Sequence, residues 1–186
     1  SIKETLAGEN FRLVKVLKRD DGQQTVLRMF DDNRTFPSEA EISAAIKRLV
    51  TTLPKVGFVG GHGERDCIKE GDRDYNQFAR EQTYRHSLIN QGFDFEQLTL
   101  DREVPALVTI LLIADVKTAL PESHLQHLKR FVDRGGNLLI AAEARRQATM
   151  NPITELFGVR LMEGRLVKPN EDFQADLIIN HPTEEA

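Results

Sequence analysis

The chain has 186 residues, of which 40% are hydrophobic and 29% charged, and its 25 Lys and Arg against 29 Asp and Glu leave a net charge of −4 at pH 7. This composition is typical of a water-soluble globular protein and excludes disordered, collagen-like and low-complexity chains. The negative charge and the lack of any long basic run are not those of a nucleic-acid binder, so we expect no nucleic-acid partner. The longest apolar runs are far shorter than the ~20 residues that span a bilayer.

Residues 1–53 predict a β-hairpin followed by a helix. Two apolar runs flank Asp20-Asp21-Gly22, and Asp-Gly between such runs favours a tight turn whose two central residues have positive φ. Farther along, Ser38 and Glu41 have the spacing of a capping box at the start of a helix. The apolar residues that follow have helical spacing. They are Ile42, Ala45, Ile46, Leu49 and Val50. We interpret this segment, which ends before Pro54, as a lead-in to the main domain.

From Lys55 onward, short apolar runs alternate with amphipathic helical patterns, as expected of a parallel sheet covered by helices. This alternation predicts an α/β core domain over residues 54–167, with residues 168–186 as a C-terminal extension. The predicted strands are Val56–Val59, Phe93–Leu100, Val108–Ala114 and Asn137–Ala142.

Three helices are predicted around these strands, over residues 73–91, 121–134 and 151–157. Asp72 can cap the first helix, and Pro121 suits the first turn of the second. A glycine follows each predicted helix, as expected where the backbone leaves a helix in the left-handed conformation. These glycines are Gly92, Gly135, Gly136 and Gly158.

The link between the second and third predicted strands, residues 101–107, is too short for a crossover helix. Two arrangements stay open. These two strands pair antiparallel, or all four strands are parallel and the third lies on the other side of the first. Beyond the last helix, residues 159–167 and 177–179 predict short edge strands or an extended exit.

The loop after the first predicted strand carries the richest chemistry. Ligands of open α/β sheets bind beyond the carboxyl ends of the strands. Residues 60–66 of this loop combine three glycines with one histidine, two acidic residues and one arginine. Two interpretations stay open: a loop that contacts a ligand, or a turn whose polar groups satisfy one another. The candidate ligand-binding residues at this edge of the sheet are Gly61, His62, Gly63, Glu64, Arg65, Asp115 and Glu143.

Familiar active-site patterns fail in this sequence. Gly61 and Gly63 begin a dinucleotide-binding pattern, but Asp66 stands where its third glycine belongs, and there is neither a P-loop nor a Gly-x-Ser-x-Gly nucleophile turn. Cys67, the one cysteine, follows the His62 loop and is expected to be inert packing. We therefore predict no catalytic residue and no cofactor.

Metal sites are also not expected. His124 and His127 lie three apart on one predicted helix, but no acidic or cysteine partner stands at a matching spacing. We expect two solvated surface histidines. Asp31-Asp32-Asn33 lacks the glycine and the distant glutamate of a calcium loop and is interpreted as a turn.

The order of the motifs over residues 39–167 points to a known family. Lys55–Arg65 is followed by a Tyr-bearing helix, Leu98–Pro105 and the apolar run at Ile110–Ala114. Then come Leu120-Pro121 with its helix, Gly135–Ile140, and Asn151-Pro152 with Phe157-Gly158-Val159. In this order the chain resembles the Gldg-like extracytoplasmic domain of ABC-type transport systems of the gliding-motility kind.

The resemblance implies a non-ATPase auxiliary domain on the extracytoplasmic, periplasmic face of the bacterial inner membrane, joined to the membrane by flanking segments outside this chain. The implied partners are the permease and ATPase subunits of an ABC transporter, with a small molecule or a cell-envelope component as a further ligand. The implied fold is flavodoxin-like, similar to class I glutamine amidotransferases without their nucleophile, with helices on both faces of the sheet. A Gly-His-Gly-Glu turn of this family is matched by Gly61 to Glu64, whereas Asp115 stands where the family is expected to have a Gly- or Pro-rich turn.

Three functional hypotheses follow. The leading one is a binding module that uses the carboxyl edge of the sheet. The second is a hydrolase or amidotransferase-like enzyme that uses His62, Glu64 and Cys67. The third is a structural spacer in a membrane complex.

Overall fold

The computed structural model is organised around two β-sheets, and it describes residues 2–10, 14–30, 36–169, 174 and 176. An antiparallel hairpin precedes a four-stranded parallel sheet that has helices on both faces, which confirms the predicted α/β class and is consistent with a flavodoxin-like fold. The strands are β1 (Val14–Lys18), β2 (Gln24–Arg28), β3 (Lys55–Val59), β4 (Asp94–Leu98), β5 (Val108–Ala114) and β6 (Asn137–Ala141). The helices are α1 (Ile2–Gly8), α2 (Glu39–Val50), α3 (Asn76–Arg80), α4 (Glu122–Asp133) and α5 (Gln147–Thr154), with 3₁₀ turns at Leu88–Asn90 and Glu155–Phe157.

The predicted hairpin is confirmed, but its turn is of another kind. Lys18 pairs with Gln24. Beyond this pair the Arg19 N–H donates to the Gln23 carbonyl at 2.8 Å, and the Gly22 N–H donates to the Arg19 carbonyl at 3.0 Å. Gly22 has a φ of +90°, and Asp21 does not have positive φ. Of these two residues only Gly22 is in the left-handed conformation. The hairpin therefore has a longer loop than the two-residue turn expected from Asp-Gly, which needs positive φ at both residues.

Helix α2 begins as predicted but turns a different face toward the core. The Ser38 hydroxyl accepts from the Glu41 N–H and the Glu41 carboxylate accepts from the Ser38 N–H, which confirms the capping box. The buried residues are Glu41, Ala44 and Ala45, whereas Ile42, Ile46 and Val50 of the predicted stripe are exposed. Two contacts explain this choice of face: Glu41 forms an ion pair with buried Arg85, and the small Ala44 allows the backbone of Gly92 to approach closely.

The core sheet has the strand order β4-β3-β5-β6, and every neighbouring pair is parallel. The antiparallel alternative for β4 and β5 is therefore wrong. As the parallel arrangement required, β5 lies on the far side of β3 from β4, and the link over residues 101–107 crosses without a helix. From β3 the chain passes to β4 on one side and from there to β5 on the other side of β3. The switch point of the topology therefore lies at the carboxyl ends of β3 and β5.

The helix predicted over residues 73–91 is wrong for most of its length. Only α3 and the 3₁₀ turn at Leu88–Asn90 are helical, and Asp72 caps neither of them. The two hydrogens of the Asn90 side-chain amide are shared among three carbonyls, those of Tyr84 at 2.9 Å, Gln82 at 3.3 Å and Glu81 at 3.4 Å. These bonds compete with the helical bonds that the same carbonyls would accept, so the side chain replaces a helix with a folded loop.

The two later helices form, with shifted beginnings. Pro121 is the residue that caps α4 rather than part of its first turn, and Gly135 follows with a φ of +92°. Helix α5 begins four residues before the predicted Asn151, with Pro152 inside it. Because Met150 and Ile153 are fully buried, we attribute the earlier start to burial that outweighs the missing N–H of proline.

The sheet separates two hydrophobic clusters. One cluster packs β3, β5 and the loops around them against α4 and α5, with Leu111, Ile113 and Phe131 at its centre. The other lies on the opposite face and packs Phe58 and Leu112 against α3. Residues 159–169 are irregular rather than short edge strands. The predictions for residues 31–33 and 177–179 lie outside the described residues.

Candidate functional site

The loop after β3 lies at the switch point of the sheet, in a conformation that depends on its glycines. Gly61 and Gly63 have φ values of +111° and +80°, which glycine adopts readily. A β-carbon at Gly63 would also come within 3.0 Å of the Lys117 side chain. The His62 carbonyl accepts from the N–H groups of Lys117 and Thr118 at 2.9 and 3.1 Å. The loop is thereby fastened to the segment that follows β5.

His62 and Glu64 of this loop form a buried pair. The His62 Nδ1 lies 3.1 Å from Glu64 Oε1, and Glu64 Oε2 accepts from the His62 backbone N–H at 2.6 Å. The Glu64 side chain is 1% exposed and that of His62 is 10% exposed. The carboxylate therefore holds both the backbone and the ring of His62, which sets the orientation of the imidazole.

A second histidine continues this arrangement. His124 lies in the first turn of α4, and its Nδ1 is 3.1 Å from His62 Nε2. On its other side, His124 Nε2 is 3.1 Å from Oδ1 of Asp101, which follows β4. Side chains from three separate segments thus form one chain of contacts at the carboxyl edge of the sheet. We call Glu64, His62, His124 and Asp101 the histidine chain, and His62 with His124 the imidazole pair.

The expectation that His124 and His127 are solvated surface histidines is wrong. The His124 side chain is only 12% exposed, and His127, half-buried, places its Nδ1 2.7 Å from the Leu100 carbonyl oxygen. Sequence spacing could not reveal these partners, because they lie 62 and 27 positions away in the chain. The sequence does hold one local signal. His124 lies near the start of the predicted helix that follows the third strand, and that end of the helix is at the same edge of the sheet as His62.

The other predicted site residues pair with one another or with neighbouring arginines. Arg65 forms an ion pair with Glu143 after β6, and Asp115 forms one with Arg146 at 2.8 Å. The structure therefore brings all seven candidate residues to one edge of the sheet. In these two pairs each carboxylate is neutralised by an arginine of the same chain. This agrees with the alternative interpretation, in which the polar groups of the loop satisfy one another.

Asp115 ends β5 in an unusual backbone conformation. Its φ is +52°, a region that L residues other than asparagine and aspartate rarely occupy. Its N–H donates to the Ala141 carbonyl at 2.9 Å, which joins the ends of β5 and β6. The turn expected to carry glycine thus keeps a glycine-like conformation here although the residue is aspartate.

Two groups beside the loop have shifted pKa values. Burial raises the pKa of the Cys67 thiol to about 11, so the thiol is neutral and inaccessible, as expected of inert packing. The pKa of Asp66 is lowered, mainly because its carboxylate accepts a hydrogen bond from the Ile68 N–H. A lowered pKa keeps Asp66 ionised in the folded protein.

Neither a multi-residue metal cage nor a membrane span is found in the described part of the chain. Over those residues, no group of three or more His, Cys, Asp and Glu side chains is arranged to hold a metal ion. In the same residues, no helix has the length and apolar character needed to cross a bilayer.

Comparison with known families decides the wider context. A family model described as "ABC-type uncharacterized transport system" matches residues 53–174, about two thirds of the chain. The chain belongs to this family. No curated protein and no solved structure matches it significantly. Membership of this family indicates an auxiliary protein of an ABC transport system that associates with transporter components, which is consistent with a membrane-associated context.

Proposed function

We propose that this chain is a binding domain of an ABC transport auxiliary protein, and that it binds a ligand or a partner subunit at the carboxyl edge of its sheet. The observation that carries the proposal is the histidine chain. It gathers side chains from the ends of β3 and β4 and from the start of α4. That position is where open α/β sheets usually bind their ligands.

The partners that we propose are the permease and ATPase subunits of the transporter. The family supports association with transporter components, and the sequence contains no P-loop, so ATP hydrolysis by a separate subunit is the simplest source of energy. We place the domain on the extracytoplasmic, periplasmic face of the bacterial inner membrane and assign it to the Gldg-like group. Residues 54–167 then form the core domain that carries the binding edge.

The rival enzyme hypothesis loses one of its three groups. Cys67 is fully buried and its pKa is about 11, whereas a catalytic cysteine is exposed enough to react and has a lowered pKa. His62 and Glu64 therefore have no thiol nucleophile to activate. A binding role uses the same two residues without requiring one.

Co-purification of the native full-length protein with its transporter tests the binding edge. We expect His62→Ala combined with His124→Ala to reduce recovery of the permease and ATPase subunits at least tenfold, while expression and circular dichroism stay unchanged. His86→Ala is the matched control, because His86 is exposed and lies outside the histidine chain. Unchanged recovery and unchanged transport in the double variant would contradict the proposed site, and hydrolysis of esters or amides that depends on His62 would favour the enzyme instead.

A cysteine-labelling experiment in intact cells tests the proposed location. Because Cys67 is fully buried, it is replaced by alanine and a new cysteine is placed at the exposed Glu70. With the outer membrane permeabilised, a membrane-impermeant thiol reagent should label the Cys67→Ala/Glu70→Cys protein without lysis. Labelling that requires lysis of the inner membrane would place the domain on the cytoplasmic side.

A further inference from the structure

The two outer nitrogens of the imidazole pair face carboxylates, and this favours one tautomer of each ring. An ionised carboxylate only accepts hydrogen bonds. The tautomers that let both carboxylates accept place one hydrogen on His62 Nδ1 toward Glu64 and one on His124 Nε2 toward Asp101, with each N···O distance 3.1 Å. A neutral imidazole has one N–H and one lone pair. In neutral rings, both inner nitrogens thus present lone pairs.

These inner nitrogens point at each other across a short gap. His62 Nε2 and His124 Nδ1 are 3.1 Å apart, with ring planes at 81° and ring centroids 5.0 Å apart. Two facing lone pairs repel, so a cation between them would stabilise the arrangement. Nitrogens that bind one tetrahedral Zn²⁺ at ~2.0–2.1 Å lie ~3.3–3.4 Å from each other. The observed separation is within a few tenths of an ångström of that spacing.

The carboxylates have the position and the charge that such a cation needs. Histidines that bind a metal nearly always donate their other N–H to a carboxylate, a carbonyl or water, which fixes the tautomer and the direction of the ring. Here both rings do so. Glu64 and Asp101 also place one buried and one exposed carboxylate behind the two rings, and their negative charges favour a cation between the rings.

The site is open on one side. The Glu64 side chain and both imidazoles are almost fully buried, but the Asp101 side chain is 70% exposed. Within the described residues, no third protein ligand completes the group. Zn²⁺ sites that act on a bound molecule usually have three protein ligands and keep one position free, whereas two histidines would leave two positions of a tetrahedral ion open. Water or a donor atom of a bound molecule could fill them.

The geometry points to a two-histidine Zn²⁺ site, with His62 Nε2 and His124 Nδ1 as ligands, Glu64 and Asp101 as their supports, and the remaining positions open to an exogenous donor. This site departs from the expectation of no metal. The inference goes beyond the proposed binding role, since the metal can be measured on the isolated chain without any transporter.

Equilibrium dialysis of the purified chain against Zn²⁺ tests the site. We expect one Zn²⁺ per chain, and at least tenfold weaker binding in His62→Ala and in His124→Ala. Glu64→Gln should weaken binding ~10- to 100-fold, the effect usual for a residue that supports a metal ligand. His86→Ala should bind like the parent chain. Circular dichroism of each variant verifies that it is folded.

Nuclear magnetic resonance of the unaltered chain gives a readout that does not depend on any variant. Adding Zn²⁺ should shift the ¹⁵N resonances of His62 Nε2 and His124 Nδ1 and leave those of His86 unchanged. A proton shared between the rings that Zn²⁺ does not displace would overturn the inference. So would Zn²⁺ binding that survives loss of either histidine, or no binding at millimolar Zn²⁺. If Zn²⁺ binds but co-purification does not depend on the pair, the proposed function fails and the metal site stands.

Discussion

Asp115 adopts the left-handed backbone conformation although its residue type does not predict it. With a φ of +52°, it lies where a side chain costs energy, and its carboxylate is held by Arg146 at 2.8 Å. An aspartate tolerates this region better than most L residues. The ion pair and the strained backbone therefore occur together at the end of β5.

Two substitutions at Asp115 separate these effects. Asp115→Gly and Asp115→Ala both lose the ion pair with Arg146, but only alanine keeps a β-carbon in the left-handed conformation. We expect the alanine variant to have a free energy of unfolding roughly 1 kcal/mol below that of the glycine variant. Urea unfolding at neutral pH measures the difference. Equal stability of the two variants would show that the strain is relieved elsewhere.

The raised pKa of Cys67 predicts that the protein loses stability at alkaline pH. In the unfolded chain the thiol ionises near its ordinary pKa of 9.0, but in the folded protein burial keeps it neutral up to about 11. The stabilisation is complete below pH 9 and is lost as the pH rises through 11, a loss of about 3 kcal/mol. Urea unfolding between pH 8 and 11.5 should show a steeper decline for the parent chain than for Cys67→Ala. Parallel curves would contradict the raised pKa.

At the scale of elements, local signals decide where a helix begins, and distant contacts decide which side it buries. Helix α2 starts at the capping box of Ser38 and Glu41, which are only three positions apart in the sequence. The same helix leaves Ile42 and Ile46 exposed because Glu41 and Ala44 contact residues far along the chain. Its apolar spacing was thus a correct sign of helix and a misleading sign of the buried face.

The capping box is tested by removing one hydroxyl. Ser38→Ala leaves the Glu41 N–H at the start of α2 without its acceptor, so we expect the free energy of unfolding to fall by about 1 kcal/mol. Ser123→Ala in α4 is the control, because Ser123 is exposed and is not the capping residue of its helix. Thermal or urea unfolding compares the two. A Ser38→Ala variant as stable as the control would mean that Glu41 alone holds the helix start.

At the scale of the whole molecule, charged groups join the predicted lead-in to the core domain. The Glu41 and Arg85 side chains form an ion pair with both partners almost fully buried. Arg28 of β2 donates to the Asn90 side chain at 2.7 Å, and Arg48 of α2 pairs with Asp94 at the start of β4. The boundary near residue 53 is therefore crossed by several polar contacts. Residues 1–53 are expected to support the core rather than to fold as a separate unit.

A double-mutant cycle on Glu41 and Arg85 measures this support. Glu41→Leu alone removes the carboxylate that pairs with the buried Arg85 guanidinium, which we expect to lower the free energy of unfolding by about 3 kcal/mol. Glu41→Leu combined with Arg85→Met removes both charges and should recover much of that loss. Urea unfolding of the four proteins gives the coupling. Strictly additive effects would show that the pair does not connect the two segments.

The fold was predictable where its causes are local. The hairpin, the start of α2, the four strands and α4 depend on residues a few positions apart, through turn preference, capping and hydrophobic periodicity. The helix over residues 73–91 failed because the Asn90 amide captures three backbone carbonyls. Periodicity cannot detect such a competitor, since it registers only apolar spacing.

The candidate site was likewise predictable only where its residues are close together in the sequence. The position of His62, Glu64 and their glycines at the carboxyl edge of a sheet was predictable from sequence alone, because a strand followed by a polar glycine loop involves only neighbouring residues. The place of His124 and Asp101 in the histidine chain became visible only in the folded protein, since His124 is 62 positions from His62. The strand order β4-β3-β5-β6 brings the ends of separate segments to one edge. Contacts of that range depend on the packing of the whole sheet, which no short stretch of sequence encodes.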